Sequence, residues 1–116
     1  MILDRLGLIG NCQCSALVDA NGAVVWGCLP RFDSEPIFST LLDAKDGGHF
    51  TVSPADGSVG TQRYIENTNV LETRFETSDG SFRVLDFYPR YFQFERSFVP
   101  TKLDRKSTRL NSSHRL

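Results

Sequence analysis

Trp26, Arg31, Phe32 and Asp33 are the side chains of this sequence best suited to holding a small polyhydroxylated molecule. The flat faces of Trp26 and Phe32 could stack on a sugar ring, and the Arg31 guanidinium and Asp33 carboxylate match its hydroxyls. A structural use competes with each. Trp26 closes the apolar run Ala23-Val24-Val25-Trp26 and suits a core position, while Arg31 and Asp33 could pin the proline-rich segment between Pro30 and Pro36 or dock it on another domain.

The other chemistry-bearing residues point to packing. Cys12, Cys14 and Cys28 make a poor tetrahedral set, with one residue between the first two and no histidine near, so free thiols are expected rather than zinc. His49 has no serine or cysteine at a triad-like spacing, so strand packing is the expectation. Asp19-Ala20-Asn21-Gly22 copies part of a calcium loop, yet the remaining ligands are missing and a hairpin turn explains it. Glu72, Arg74 and Glu76 alternate along one strand and predict a solvated charge stripe. Tyr88, Tyr91, Phe92, Phe94 and Phe98 crowd a short stretch; a ligand platform is conceivable, and a neighbouring strand or domain to cover them is the better reading. No catalytic residue, metal or cofactor is expected.

These residues must be positioned by short strands. Ser15 to Leu29 reads as a hairpin around Asn21-Gly22, whose types supply the positive φ angles of a tight primed turn. Asn69 to Tyr88 reads as a second hairpin turning at Ser78-Asp79-Gly80, with further strands at 49–52 and 62–66. Between the hairpins, 37–43 is read as one short helix capped by Ser34, with Pro36 in its first turn. Half-buried strands at such intervals need a second layer, so the expected fold is mainly β: an antiparallel β-sandwich, incomplete, with that one helix.

The chain has 116 residues, room for one domain, with 40% hydrophobic residues and a net charge of −1. Four of its 13 basic residues and only Asp104 among its 14 acids lie after Leu103, so the body is mildly acidic. Nucleic-acid binding needs dense Lys and Arg and is disfavoured. No apolar run approaches the ~20 residues of a bilayer span, the first residues do not resemble a secretory signal, and the odd cysteine count argues against a disulfide framework. The expected setting is therefore cytoplasmic, with no membrane partner.

Composition changes abruptly after Leu103. Asp104 to His114 holds one apolar side chain and no structural period, and its reverse translation resembles a ligated adapter of short-read sequencing. The expectation is a β-sandwich domain over 1–103 and a disordered, artefactual tail over 104–116.

Leu8-Ile9-Gly10-Asn11-Cys12, Ala16-Leu17-Val18-Asp19, Trp26, Cys28-Leu29-Pro30-Arg31-Phe32-Asp33-Ser34, Phe38 and Leu41-Leu42-Asp43 together resemble the opening of family-fifteen glycoside hydrolases. Gly47-Gly48-His49-Phe50, the run 67–75, Asp79-Gly80 and Val84-Leu85-Asp86-Phe87 with Pro89 continue the pattern, which covers residues 6–90. Gln13-Cys14-Ser15 and Gly27 depart from it. The resemblance implies an amino-terminal β-sandwich preceding a barrel of paired α-helices, in which glucoamylases, glucodextranases and trehalases invert α-linked glucosides. It implies that the two catalytic glutamates belong to that absent barrel, matched by none of Glu35, Glu66, Glu72, Glu76 or Glu95. The barrel is then this domain's partner, with α-glucan or trehalose as the sugar; an independent binding module for such sugars is the alternative.

Overall fold

The computed structural model describes residues 5–100 and 102–110. It is built from strands: β1 (Gly7–Gly10), β2 (Ser15–Val18), β3 (Ala23–Cys28), β4 (Pro36–Phe38), β5 (Phe50–Thr51), β6 (Thr61–Tyr64), β7 (Leu71–Thr77), β8 (Gly80–Phe87), β9 (Tyr91–Gln93), β10 (Arg96–Phe98) and β11 (Asp104–Arg109). All pairings are antiparallel. One sheet runs β1-β2-β3-β4 with β5 also on β3, a second runs β11-β8-β7-β6, and β9 with β10 forms a separate ribbon. Among the described residues no helix is long and apolar enough to cross a membrane.

The two larger sheets face one another. Ile9, Ala16, Val18 and Val24 from the first meet Leu71 and Tyr88 from the second in one buried cluster, as period-two alternation requires of half-buried strands. Phe75 and Val84 are fully buried, and the Phe75 ring stacks on Phe82 at 5.0 Å. Burying a side chain such as Phe75 contributes roughly 2–3 kcal/mol. The mainly β, sandwich-like architecture expected from the sequence is what folds.

Both hairpins form, but the first turn differs from expectation. Gly22 has φ +84°, whereas Asn21 is not left-handed, so Asn-Gly does not make a two-residue primed turn. Asp19 organises a longer loop instead: its Oδ1 accepts from Asn21 N and Ala23 N, and its backbone N–H donates to Ala23 O. This side-chain alternative is open to Asp and Asn and competes with the backbone turn. At Gly22 a Cβ would collide with Val52 O, so the loop also needs glycine for close approach.

The expected helix over 37–43 does not form. Pro36–Phe38 pairs with β3 through Gly27↔Phe38 and Cys28↔Pro36, which buries part of Phe38 against the core. One helical turn follows, closed by Asp43 N donating to Ser39 O, and it is not propagated: Ser39 N and Gly47 N bond across the loop, to Gly47 O and Asp43 O, while Asp43 Oδ1 takes Lys45 N and Asp46 N. Seven residues are too few to offset helix nucleation when a sheet edge competes for them.

The disorder expected after Leu103 is also not what 104–109 shows. Those residues pair with β8 from Asp104↔Phe87 to Arg109↔Phe82. An extended segment of almost any composition can satisfy an open sheet edge through its backbone, and Arg105 adds a cation where Asp86 is buried. Residues 111–116 lie outside the described set.

Candidate functional site

A β-bulge decides where Trp26 goes. Leu17 pairs with Trp26 but Val18 pairs with Val24, so Val25 is an extra residue in β3. Without it Val24 and Trp26 would share a face; with it Val24 enters the core and Trp26 turns to the opposite side. There it is half-buried, in a cross-strand row with Leu17 and Leu8. The core position suggested by the apolar run is taken by its neighbours.

The loop after β3 carries Arg31, Phe32 and Asp33 together, all exposed. It is fixed from the β1–β2 connection. Phe32 N donates to Gln13 O at 2.7 Å, while Gln13 Nε2 and the Cys14 thiol both reach Pro30 O. Ser34 closes the turn, with Arg31 N on its Oγ and its own N–H on Arg31 O. Arg31 Nε lies 3.3 Å from Asp33 Oδ1, an ion pair open to water on both sides that contributes little to stability.

Phe32 forms one wall of an open groove of about 470 Å³, with Leu8, Ser15, Tyr64 and Asn69 among the others. Tyr64 has a second task. Its hydroxyl accepts from Leu8 N at 3.0 Å and donates to Leu8 O at 2.5 Å, occupying both backbone groups that β1 turns to its free edge. The groove therefore offers two aromatic walls, an amide and a hydroxyl: a surface suited to stacking and hydrogen bonding. Trp26 is not part of its lining, although Leu8 belongs both to the groove and to the row containing Trp26.

The two buried carboxylates, Glu72 and Asp86, are both engaged by arginines. Glu72 is 1% exposed on the outer face of β7, held by Arg63 at 2.8 Å and Arg83 at 3.0 Å. Burial acts to raise its pKa, but the hydrogen bonds and charges of the two arginines outweigh that and leave it lowered. The solvated stripe expected of Glu72, Arg74 and Glu76 thus holds for the last two only, which pair at 3.5 Å in solvent. Asp86 is fully buried against Arg105; burial pushes its carboxyl up, with the guanidinium working in the opposite direction. Glu35, Glu66 and Glu95 are exposed on separate loops, and His49 stands exposed just before β5 rather than packed.

Two residues gain importance that their sequence context did not signal. Asn11, 1% exposed, accepts Gln13 N and Cys14 N on its Oδ1 and donates through Nδ2 to Pro89 O and Pro100 O. It thereby ties the β1–β2 turn to both ends of the β9–β10 ribbon. Tyr88 is buried beside Cys14 and Cys28, with its phenol pushed up to about 12, chiefly by burial. Burial also raises the thiols of Cys14 and Cys28, the latter helped by the charge of Asp33.

Comparison with known proteins shows what the sequence is similar to. The family model described as "Trehalase-like, N-terminal" matches residues 1–105, two residues past the boundary expected at Leu103. The chain is 44% identical over 87 residues to a trehalase of Thermoplasma volcanium, covering 72% of this chain and 14% of that protein. It is 42% identical over 84 residues to trehalase 1 of Sulfolobus acidocaldarius, covering 72% and 15%, and 36% identical over 81 residues to a trehalase of Mycolicibacterium smegmatis, covering 69% and 12%. The chain thus spans only about a seventh of the first of these relatives. No solved structure matches it.

Proposed function

The chain belongs to the trehalase-like N-terminal family, and on that premise we propose that it is the non-catalytic amino-terminal domain of a family-fifteen hydrolase of α-glucosidic bonds, with trehalose or a short α-glucan as substrate. The observation that carries this reading is the coverage: three curated trehalases match this domain over only 12–15% of their length, leaving room for a helical catalytic barrel beyond it. The engagement of Glu72 and Asp86 by arginines supports it, because inverting hydrolysis needs one carboxylic acid free to protonate the leaving oxygen and one free carboxylate to activate water. The buried, unbridged thiols of Cys14 and Cys28 fit a reducing, cytoplasmic setting.

The test compares two proteins. The purified 116-residue chain should release no glucose from trehalose or maltose. A chimaera in which residues 1–105 replace the matching segment of the Thermoplasma volcanium trehalase should hydrolyse trehalose. Reproducible turnover by the isolated chain, or an inactive chimaera, would sink the reading.

A second reading has the Phe32 groove bind the sugar itself, with Arg31 and Asp33 flanking Phe32 on its loop and Trp26 beyond Leu8. The paired aromatic walls of Phe32 and Tyr64 favour it. Calorimetric titration of the chain with trehalose and maltotriose decides this: heat of binding lost in Phe32→Ala supports the groove, and no heat with the unsubstituted chain removes it.

A further inference from the structure

The ribbon of β9 and β10 stands apart from both sheets. A two-stranded ribbon is marginal in water unless something covers it, yet Tyr91 and Phe94 are exposed on it. Tyr91 and Phe98 stack at 5.1 Å, Arg96 lies over the Phe98 ring at 5.5 Å, and Phe94 at the tip is 81% exposed. The tip is also strained. Phe94 and Glu95 have φ of 53° and 58°, a left-handed pair that primed turns normally assign to Asn and Gly. That conformation aims the largest apolar side chain of the turn into solvent.

The base of the ribbon is tied to the first sheet's β1–β2 turn by contrast. Asn11 donates to Pro89 O on one leg and Pro100 O on the other, and Arg90 reaches the Cys12 sulfur at 3.4 Å. A fixed base with an aromatic, strained tip is the build of a preorganised docking arm, whose ordering has been accomplished before contact. We infer that the β9–β10 ribbon is the arm by which this domain seats on the downstream, catalytic part of the same polypeptide, with Phe94 entering an apolar pocket there and Tyr91 and Phe98 lying against its rim. The occupant follows from length: the curated relatives continue for several times the span of this domain. The inference rests on the proposed function and adds the contact surface to it.

The test follows trypsin cleavage after Arg96, which is exposed in the chain by itself. In the Thermoplasma volcanium chimaera cleavage there should slow by about tenfold or more relative to the isolated chain, and Phe94→Ser in the chimaera should restore the fast rate. Equal rates in the two proteins, undiminished protection in Phe94→Ser, or digestion of the chimaera throughout would overturn the arm. Protection of the isolated chain that grows with its own concentration would assign the surface to a second copy and overturn it as well. Trehalose hydrolysis reads the other question separately: an active chimaera with an unprotected ribbon refutes the arm and leaves the proposed function standing.

Discussion

Glu72 is a carboxylate that water scarcely reaches on the face of a sheet that water otherwise covers. Arg63 on β6 and Arg83 on β8 close over it from both sides, one on each carboxylate oxygen, so three strands are stitched by one acid. Arg63 is 64% exposed and Arg83 34%, which screens the attraction and keeps its net contribution well below that of a fully buried pair. Glu72→Gln keeps the shape and loses the charge, and should destabilise the fold by about 1–2 kcal/mol at neutral pH. The sign of the pH dependence follows from the lowered pKa. A group whose folded pKa lies below its unfolded value stabilises above the unfolded pKa, and that contribution disappears as pH falls through the folded one. Urea unfolding of the two proteins should therefore differ most near pH 7 and converge in strong acid; a difference that persists in acid would mean the charge is not what Glu72 contributes. Alternation alone assigned Glu72 to the outer face correctly, but not to burial, because which side chains of the neighbouring strands reach it is decided by the sheet register.

Tyr64 shows what an element does with an unpaired edge. β1 is the outermost strand of its sheet, and a bare edge is a template for pairing with another chain. One hydroxyl occupies both backbone groups of Leu8 and the ring covers the groove beside it. Tyr64→Phe should cost about 0.5–1.5 kcal/mol in urea unfolding and make sedimentation concentration-dependent, since Leu8 would present its N–H and C=O to neighbours. A stable, strictly monomeric variant would show that the edge is protected by other means. At this scale the two long hairpins were legible, because alternation and turn residues act locally. β1, β9 and β10 were not, since four or three residues carry too little period, and 37–43 misled because Ser34 and Pro36 are good helix signals until a sheet edge competes. The candidate site divides along the same line. Arg31, Phe32 and Asp33 are contiguous and stay together, whereas Trp26 is turned away by a one-residue bulge, and Asn11 acts through contacts 78 and 89 residues distant.

The two sheets are joined across their interface by Arg105. Its guanidinium binds both oxygens of Asp86 within its own sheet, then crosses to the other with hydrogen bonds of 2.6 Å to Gly22 O and 2.6 Å to Phe50 O, lying 4.9 Å from the Phe50 ring. The pair is almost wholly withdrawn from water, with side chains 2% and 0% exposed. Replacing such a pair with apolar groups can be neutral, whereas removing one partner strands the other's charge. Arg105→Met should thus cost about 3–5 kcal/mol, while Arg105→Met with Asp86→Asn should recover much of it. The raised pKa of Asp86 adds a sign. A carboxyl whose folded pKa exceeds its unfolded value favours the folded state when protonated, so its ionisation withdraws stability as pH rises through the folded pKa. In Arg105→Met nothing opposes burial, so the variant should lose more stability than the parent between acid and neutral pH, in the direction opposite to Glu72. Urea unfolding of parent, single and double variants over that range measures this directly, and a single variant no more pH-sensitive than the parent would show that water enters the interface and that Arg105 is not what holds the sheets together.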